Sequence, residues 1–307
     1  MVATAALAAG GYILVETGVA PGKYRLAQIL GACGTDPGVP KAEPGPGLAT
    51  RFMSRYRRRM VQMFIMRPPG HHGVLPVAVV MHGAGDDAAS ALRLGYPEFL
   101  VTSVTSGGAP PFALVSVDGG SSTYWHPRAG PDDPLGMIIH EVLPRLSAAG
   151  YQVGRVGLTG WSMGGYGALL LAERLGPARV AAVAVSSPAI FASYDEAHAA
   201  NNLAFDSAAD FAANNVSDRF DTLKRLPVMI DCGSSDPFAA QDALLRRRLG
   251  NPPGGISAGC HDQAFWRRHL PAQLAFLAAH LSQPGPMALS DAGASGDGWK
   301  YGCEWPV

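Results

Sequence analysis

The chain carries no excess of charge of either sign. Lys plus Arg and Asp plus Glu number 24 each, and together they make up only 16% of the 307 residues. A balanced chain has no net field to attract polyanions, so its overall charge argues against nucleic-acid binding and against recruitment to anionic membranes. The one basic run, RYRRR at residues 55–59, lies in a strand-like segment that continues to Met66. We interpret this run as part of a solvated edge strand, and a binding patch is the alternative.

Cysteine is scarce. The spacings of Cys33, Cys232, Cys260 and Cys303 match no zinc motif, so we expect no metal, and nothing else in the sequence requires a cofactor. Cys232 could pair with Cys260, because both lie close in sequence to residues that are singled out below. Cys33 could then pair with Cys303, since these lie in the two terminal extensions. Such pairs suit an oxidising compartment, and free buried thiols are the alternative.

No apolar run is long enough to span a bilayer comfortably. Residues 2–15 are apolar and rich in Ala and Gly, whereas a membrane-spanning helix needs about 20 such residues. We interpret them as the end of a signal peptide or membrane anchor, which predicts a secreted or envelope-associated protein. A helix packed on the domain is the alternative. Only Met1 precedes this segment, so we expect the numbered chain to begin within a longer sequence.

The hydrophobic content of 48% is sufficient for one large core, and we expect one main domain. Residues 1–47 are predicted to form an extension ending in a Pro- and Gly-rich linker, and residues 48–283 the domain. Residues 284–307 form a tail whose two tryptophans indicate docking on the surface. Residues 191–224 are polar and rich in Ala and Asn. We interpret them as a cap-like insertion, with a passive helical excursion as the alternative.

Short apolar runs alternate with helix-length segments through the domain. Runs rich in Val, Ile and Leu predict strands at residues 59–66, 77–81, 112–117, 153–158, 180–185 and 228–232. Helices are predicted at residues 135–149, 166–175, 238–249 and 263–281. Continuous apolar runs are typical of parallel strands that are covered on both faces. The pattern predicts an α/β fold with a mostly parallel central sheet and helices on both faces.

The strand-like run 153–158 is followed by GWSMG at residues 160–164 and then by a helix-like segment. G-x-S-x-G between a strand and a helix is typical of a nucleophile elbow, a tight turn that holds a serine in a strained backbone conformation. The glycines permit the turn, and the helix directs its N-terminal amides toward the site. We therefore predict that Ser162 is a nucleophile in acyl transfer.

A serine hydroxyl becomes a good nucleophile when an imidazole accepts its proton and a carboxylate orients that imidazole. The partners of an elbow serine follow in the order acid, then histidine. Asp236 lies in a turn just after the run 228–232 and is the candidate acid, in preference to Asp231 within the strand. His261 is the candidate base, because a histidine in a turn reaches a serine more easily than His269 within a helix.

The oxyanion that forms during acyl transfer needs two backbone N–H donors. The residue after the nucleophile, Met163, supplies one, and the loop HGAGDD after the run 77–81 is expected to supply the other. Ala84 is the candidate and Gly83 the alternative. We interpret His82 as a residue that holds this loop by hydrogen bonding, and residues 86–87 as a helix cap rather than metal ligands.

A loop at residues 118–128 contains Tyr124 and Trp125 after a predicted strand. Exposed aromatic side chains at this end of a strand would bind an acyl chain, a sugar or an aryl group. Packing of Trp125 inside the domain is the alternative.

Five ordered motifs give the chain a resemblance to a known family. They are HGAGDD, VDGGSSTYWHPR, GWSMGGYGALLLA, CGSSDPF and GCHDQAFWRRHLPAQLAFL. The chain resembles the α/β-hydrolase esterases that include S-formylglutathione hydrolase, feruloyl esterases and mycolyltransferases. The resemblance implies the α/β-hydrolase fold and supports His261 as the base, since the family's histidine is followed by a tryptophan, here Trp266. We include Trp266 among the candidate substrate-binding residues.

The sequence predicts a serine hydrolase that cleaves small-molecule or lipid carboxylic esters. An acyltransferase that uses a sugar or lipid alcohol is the nearest alternative, although the chain departs from mycolyltransferases in its GGYGA segment and acid region. A polyesterase and a non-catalytic envelope binding protein are the others. The N-terminus could associate with the cell envelope, no nucleic-acid partner is expected, and the oligomeric state is not predicted.

Overall fold

A computed structural model describes residues 27, 29, 31–71, 73–218 and 220–283. The apolar segment 2–15, Cys303 and the tail 284–307 lie outside the described residues. In the described part of the chain, eight strands form one sheet in the order β1-β2-β4-β3-β5-β6-β7-β8. Their bounds are β1 Leu48–Ser54, β2 Arg59–Met66, β3 Pro76–Met81, β4 Ala113–Val117, β5 Gln152–Trp161, β6 Val180–Ser186, β7 Val228–Gly233 and β8 Gly254–Ser257.

The pairs β1–β2 and β2–β4 are antiparallel, and every other neighbouring pair is parallel. Ten α-helices are described: α1 Ser90–Leu94, α2 Tyr96–Thr105, α3 Pro134–Met137, α4 Leu143–Ala148, α5 Met163–Leu175, α6 Tyr194–Ala200, α7 Ala208–Asn214, α8 Phe220–Leu223, α9 Ala239–Arg248 and α10 Gln263–Leu281. A π-helical turn, Ile138–Val142, joins α3 to α4, and a 3₁₀ turn, Val216–Asp218, precedes α8. No helix in these ranges is both long enough and apolar enough to cross a membrane.

The sheet has a hydrophobic core on each face. Helices α3, α4, α5 and α9 contribute to one core, and α1, α2 and α10 contribute to the other. Alternate residues of the strands divide between the two cores, as Val77 and Val79 face one and Ala78 and Val80 the other. Both faces are therefore covered, which explains the continuous apolar runs. The predicted α/β-hydrolase fold is confirmed.

The interpretation of residues 55–59 as part of an edge strand is wrong. Residues 55–58 form the turn of the β1–β2 hairpin, and β2 lies inside the sheet because the unpredicted β1 covers it. Arg57 is only 1% exposed. Its guanidinium donates to the Asp132 carboxylate at 2.5 and 3.0 Å and to the carbonyl oxygen of Asp118 at 2.7 Å. This arginine therefore fixes the hairpin to the loop that follows β4.

The segment 191–224 forms three short helices, α6 to α8, and the 3₁₀ turn. Ser193 and Ser207 begin the first two helices, because each side chain accepts a hydrogen bond from a backbone N–H three residues later. Arg128, in the loop after β4, holds the segment through a bond to Asp206 at 2.6 Å and a bond to the carbonyl oxygen of Leu203 at 2.8 Å. The segment is therefore fastened to the loop that precedes α3.

Cys33 forms a disulfide with Cys260, and Cys232 is a free, buried thiol. The predicted pairs Cys232–Cys260 and Cys33–Cys303 are therefore wrong. The N-terminal segment lies against the start of α10, where Arg268 donates to the carbonyl oxygens of Cys33 and Thr35, both at 3.1 Å. This contact brings Cys33 to Cys260, whereas the Cys232 side chain is enclosed in the interior.

Candidate active site

Ser162 lies between the end of β5 and the start of α5. Its φ of 55° and ψ of −126° fall in a region that non-glycine residues rarely adopt. A Cβ atom at Gly164 or at Gly160 would overlap the carbonyl oxygen of Met81. Only glycine permits this close approach of the elbow to β3. The sequence GWSMG thus forms the strained turn that it predicts.

Ser162, His261 and Asp236 form a continuous hydrogen-bonded chain. His261 Nε2 lies 2.9 Å from Ser162 Oγ, and His261 Nδ1 lies 2.8 Å from Asp236 Oδ2. The other carboxylate oxygen of Asp236 accepts a hydrogen bond from the backbone N–H of Phe238 at 2.9 Å. Because both oxygens are held, the carboxylate presents a fixed acceptor to the imidazole.

Aromatic rings contact the His261 imidazole on two sides. The rings of Phe238 and Trp266 each lie 5.3 Å from it, in edge-to-face arrangements. Asp262 begins α10 by accepting the N–H of Phe265 at 2.9 Å, and Cys260 carries the disulfide. The loop that contains His261 is therefore held by a helix cap, a covalent bond and ring packing. Trp266 lies beside the imidazole and is partly exposed, as a substrate-contacting residue must be.

The backbone amides of Met163 and Ala84 are the candidate oxyanion donors. Met163 is the first residue of α5, where the backbone N–H has no partner within the helix. Ala84 lies in an exposed turn after β3, and its N–H donates to no acceptor among the described residues. The following amide, that of Gly85, is already bonded to the carbonyl oxygen of Ser121 at 2.8 Å. The N–H of Gly83 is likewise not bonded to a described residue, so Ala84 and the alternative Gly83 both stay candidates for the second donor beside Met163.

His82 holds the loop after β3 in place. Its Nδ1 lies 2.9 Å from the carbonyl oxygen of Gly83, and its Nε2 accepts the N–H of Gly119 at 3.0 Å. These contacts agree with its interpretation as a hydrogen-bonding residue. Asp86 accepts hydrogen bonds from Ser90 Oγ at 2.8 Å and from Trp161 Nε1 at 3.2 Å. The interpretation of residues 86–87 as a helix cap is wrong, because Ala89 is the N-cap residue of α1 and no side chain caps it; the two carboxylates accept from the Ser90 hydroxyl instead.

The prediction that Trp125 contacts substrate is wrong. The side chain is fully buried, and its Nε1 donates to the carbonyl oxygen of His82 at 3.2 Å. Gly119 and Gly167 lie directly against the indole, so the chain is built around it. Tyr124 is 4% exposed and packs against the rings of Tyr166, Phe191 and Phe205. Tyr124 therefore supports the wall of the site and offers little surface to a ligand.

The two less favoured candidates, Asp231 and His269, pair with each other. His269 Nδ1 lies 3.2 Å from Asp231 Oδ1, and Gln273 Nε2 donates to the other carboxylate oxygen of Asp231 at 2.8 Å. His269 Nε2 lies 3.5 Å from Ser257 Oγ. Sequence analysis missed this second Asp–His–Ser array. No elbow precedes Ser257, which ends the short strand β8.

Within the ranges given above, one group of residues has metal-ligand spacing: Cys33, Cys260 and Asp262. The two sulfur atoms are joined in the disulfide, so neither is a free thiolate.

The chain is similar to a known family and to several solved structures. The Esterase family model, described as "Putative esterase", matches residues 54–277. A search of curated proteins gave no significant match. A ferulic acid esterase has 18% sequence identity and a TM-score of 0.66, covering 78% of this chain and 99% of its own. An S-formylglutathione hydrolase from Agrobacterium tumefaciens has 15% identity and a TM-score of 0.66, covering 81% and 100%.

An enterochelin esterase from Shigella flexneri has 18% identity and a TM-score of 0.58, covering 79% of this chain and 61% of its own. At these identities the structural likeness shows the fold, whereas the family model spans well over half of the chain and shows the family. The resemblance that the five motifs gave is thereby confirmed. The chain belongs to the Esterase family of α/β-hydrolases.

Proposed function

We propose that this protein hydrolyses carboxylic esters through an acyl-enzyme intermediate on Ser162. The observation that carries the proposal is the unbroken chain from Ser162 Oγ through His261 to Asp236, with distances of 2.9 and 2.8 Å. Its serine sits in a strained elbow at the end of β5. This is the arrangement that activates a serine hydroxyl.

In the proposed reaction, Ser162 Oγ attacks the ester carbonyl carbon while His261 Nε2 accepts the hydroxyl proton. The N–H groups of Met163 and Ala84 donate to the oxyanion, and Asp236 stabilises the imidazolium. Collapse of the tetrahedral intermediate breaks the bond to the alcohol, which leaves with the proton from His261. Water then attacks the acyl-enzyme with His261 as base and releases the acid and the free serine.

Substitution Ser162→Ala tests the nucleophile. We expect kcat for a short p-nitrophenyl ester to fall by about four to six orders of magnitude, with folding unchanged. Ser257→Ala is the matched control, because Ser257 also lies beside a histidine that an aspartate contacts. It should retain wild-type turnover.

A fluorophosphonate probe should add its mass to the peptide that contains Ser162 in the wild type and in Ser257→Ala. Loss of turnover in Ser257→Ala, or full turnover in Ser162→Ala, would contradict the proposal. Product analysis with and without an alcohol acceptor distinguishes hydrolysis from acyl transfer, because only transfer yields a new ester.

A further inference from the structure

The tip of the β1–β2 hairpin displays an apolar pair. Met53 and Met60 lie directly opposite each other on the two strands, so their side chains are neighbours on one face. They are 60% and 53% exposed, which is unusual for large apolar side chains that lie side by side. Nothing in the described part of the chain covers this pair.

Arginines surround the apolar pair. Arg51 shares its face, since residues two apart on a strand point the same way, and Arg55 and Arg58 lie in the turn. All three are exposed, and none makes an ion pair with a described residue. Arg59 is also exposed but shares Asp132 with the buried Arg57.

The carboxylates near the hairpin are already bonded. Glu141 accepts hydrogen bonds from Ser54 Oγ at 2.5 Å and from the N–H of Arg55 at 2.9 Å. Asp132 lies between two arginine side chains. Residues 51–59 contain five arginines and no acidic residue, so the hairpin is positive even beside these two carboxylates, although the whole chain has no net charge.

The tip lies at the same edge of the sheet as Ser162. Strand β2 is antiparallel to β4, with Met63 opposite Val117, so the start of β2 extends past the carboxyl end of β4. Ser162 follows the carboxyl end of β5, which is parallel to β3 and hence to β4. A partner that covers the tip would thus lie on the edge of the molecule where substrates enter.

We propose that the hairpin tip, defined as Arg51, Met53, Arg55, Arg58 and Met60, docks the protein on an anionic phospholipid membrane. Arginine binds phosphate groups through several N–H donors, and exposed apolar side chains enter the boundary between headgroups and acyl chains. A nucleic acid would neutralise the arginines but would offer no hydrocarbon to the methionines, whereas a phospholipid presents a phosphate group and an acyl chain together. The combination of paired methionines and unpaired arginines therefore favours lipid.

Vesicle co-sedimentation of the full chain tests the proposal. We expect binding to phosphatidylcholine vesicles that contain phosphatidylglycerol and much weaker binding to phosphatidylcholine alone. Arg55→Glu/Arg58→Glu should lower the partition coefficient on anionic vesicles by more than about tenfold. Met53→Ser/Met60→Ser should lower it by about tenfold.

The matched control is Arg225→Glu/Arg247→Glu, which makes the same charge change at two exposed arginines that lie away from the hairpin. It should bind as the wild type does. The apolar residues 2–15 would promote binding to neutral and anionic vesicles equally. The difference in binding between the two kinds of vesicle therefore measures the contribution of the arginines. Turnover of a soluble ester and the thermal unfolding midpoint should be unchanged in all three variants, which separates this proposal from the esterase mechanism.

Equal binding to both vesicles would overturn the proposal, as would equal losses in the control and hairpin variants. Binding to a DNA duplex that survives Met53→Ser/Met60→Ser, with no binding to anionic vesicles, would assign the arginines to a polyanion instead. A concentration-dependent mass that is lost in Met53→Ser/Met60→Ser would assign the tip to contacts between copies of this chain.

Discussion

At the scale of single residues, two buried carboxyl groups lie near each other and differ in their partners. Asp236 is held by His261 and by a backbone N–H. Asp242, on α9, is fully buried, no N–H group in the described structure donates to its carboxyl oxygens, and the Cys232 thiol lies beside it. Burial raises the pKa of Asp242 well above its usual value, and the negative charge of Asp236 adds to the rise. The raised pKa favours the neutral form of Asp242 in the folded protein.

Substitution Asp242→Asn should make stability less dependent on pH. The folded-state pKa of Asp242 is raised, so folding is favoured below the unfolded pKa and this contribution is lost as pH rises toward the folded pKa. Asn has no proton to lose, so the stability of the variant relative to the wild type should increase above about pH 5, by up to about 1.4 kcal/mol per pH unit until the folded-state pKa is reached.

Urea unfolding at several pH values measures this gain. Asp221→Asn is the control, because its side chain is 96% exposed and should show no such trend. A difference between Asp242→Asn and the wild type that stays constant from pH 5 to pH 8 would show that Asp242 is not a buried neutral acid.

Local sequence predicted which residues meet at the candidate site but not how deeply each is buried. The structure places Ser162, Asp236 and His261 in contact, because elbow, turn and chain order are all readable along the chain. Trp125 is buried because Gly119 and Gly167, which come from different parts of the chain, leave space for its indole ring. Such a cavity is a tertiary property that motifs do not reveal.

At the scale of elements, side chains of the loop after β4 hold the insertion 191–224 in place. The His126 ring lies between the carbonyl oxygens of Pro127 and Ala204, each 2.9 Å away, and stacks on Phe205. Arg128 bridges the loop and the insertion, as described above. Just before the insertion begins, Ala189 contacts the elbow, since its N–H donates to the carbonyl oxygen of Ser162 at 3.1 Å. Motion of the insertion would therefore reach the candidate site.

Substitution Arg128→Gln should loosen the insertion. The variant loses the ion pair with Asp206 and most of the bonds to backbone carbonyls, so we expect amide hydrogen exchange at residues 201–214 to become at least several-fold faster. Arg179→Gln is the control, because Arg179 also donates to two carbonyl oxygens, but on β5. Exchange that is equally slow in Arg128→Gln and the wild type would mean that the other contacts, such as those of His126 with Ala204 and Phe205, hold the insertion without Arg128.

Six predicted strands and four predicted helices correspond to observed elements, and the missed elements have physical reasons. Strand β1 is an edge strand with little burial, so it lacks an apolar run. Strand β8 has four residues, two of them glycine, and pairs with β7 on one side only. Helix α2 contains three threonines and serines in its last four residues, which disfavour a helical interpretation. Packing on the sheet stabilises each of these segments.

At the scale of the whole molecule, the sequence predicted the family and the fold, because the five motifs occur along the chain in the order of the strands that they follow. The cysteine pairing was not, since Cys33 and Cys260 are 227 residues apart and meet only through the contact of the N-terminal segment with α10. Export of the protein, the cap role of the insertion and the N-terminal and C-terminal boundaries of the domain stay predictions.

Removal of the disulfide should affect both stability and turnover. Cys33→Ser/Cys260→Ser should lower the free energy of unfolding by roughly 2–5 kcal/mol, because the bond closes a loop that contains most of the chain. It should also lower kcat, since Cys260 precedes His261. Chemical denaturation and ester turnover measure the two effects, and Cys232→Ala is the control because it keeps the bond. Wild-type stability in the double variant would show that noncovalent contacts alone fix the segment.

The disulfide also decides what happens when the chain is cut. Residues 34–47 include many exposed positions and no regular secondary structure, so this linker is the natural site for a protease. After such a cut, the fragment that ends in the linker stays attached through Cys33 to the loop of His261. The N-terminal fragment therefore remains covalently attached to the domain until a reductant cleaves the disulfide. A non-reducing gel of the cut protein would show one band, whereas a reducing gel would show two.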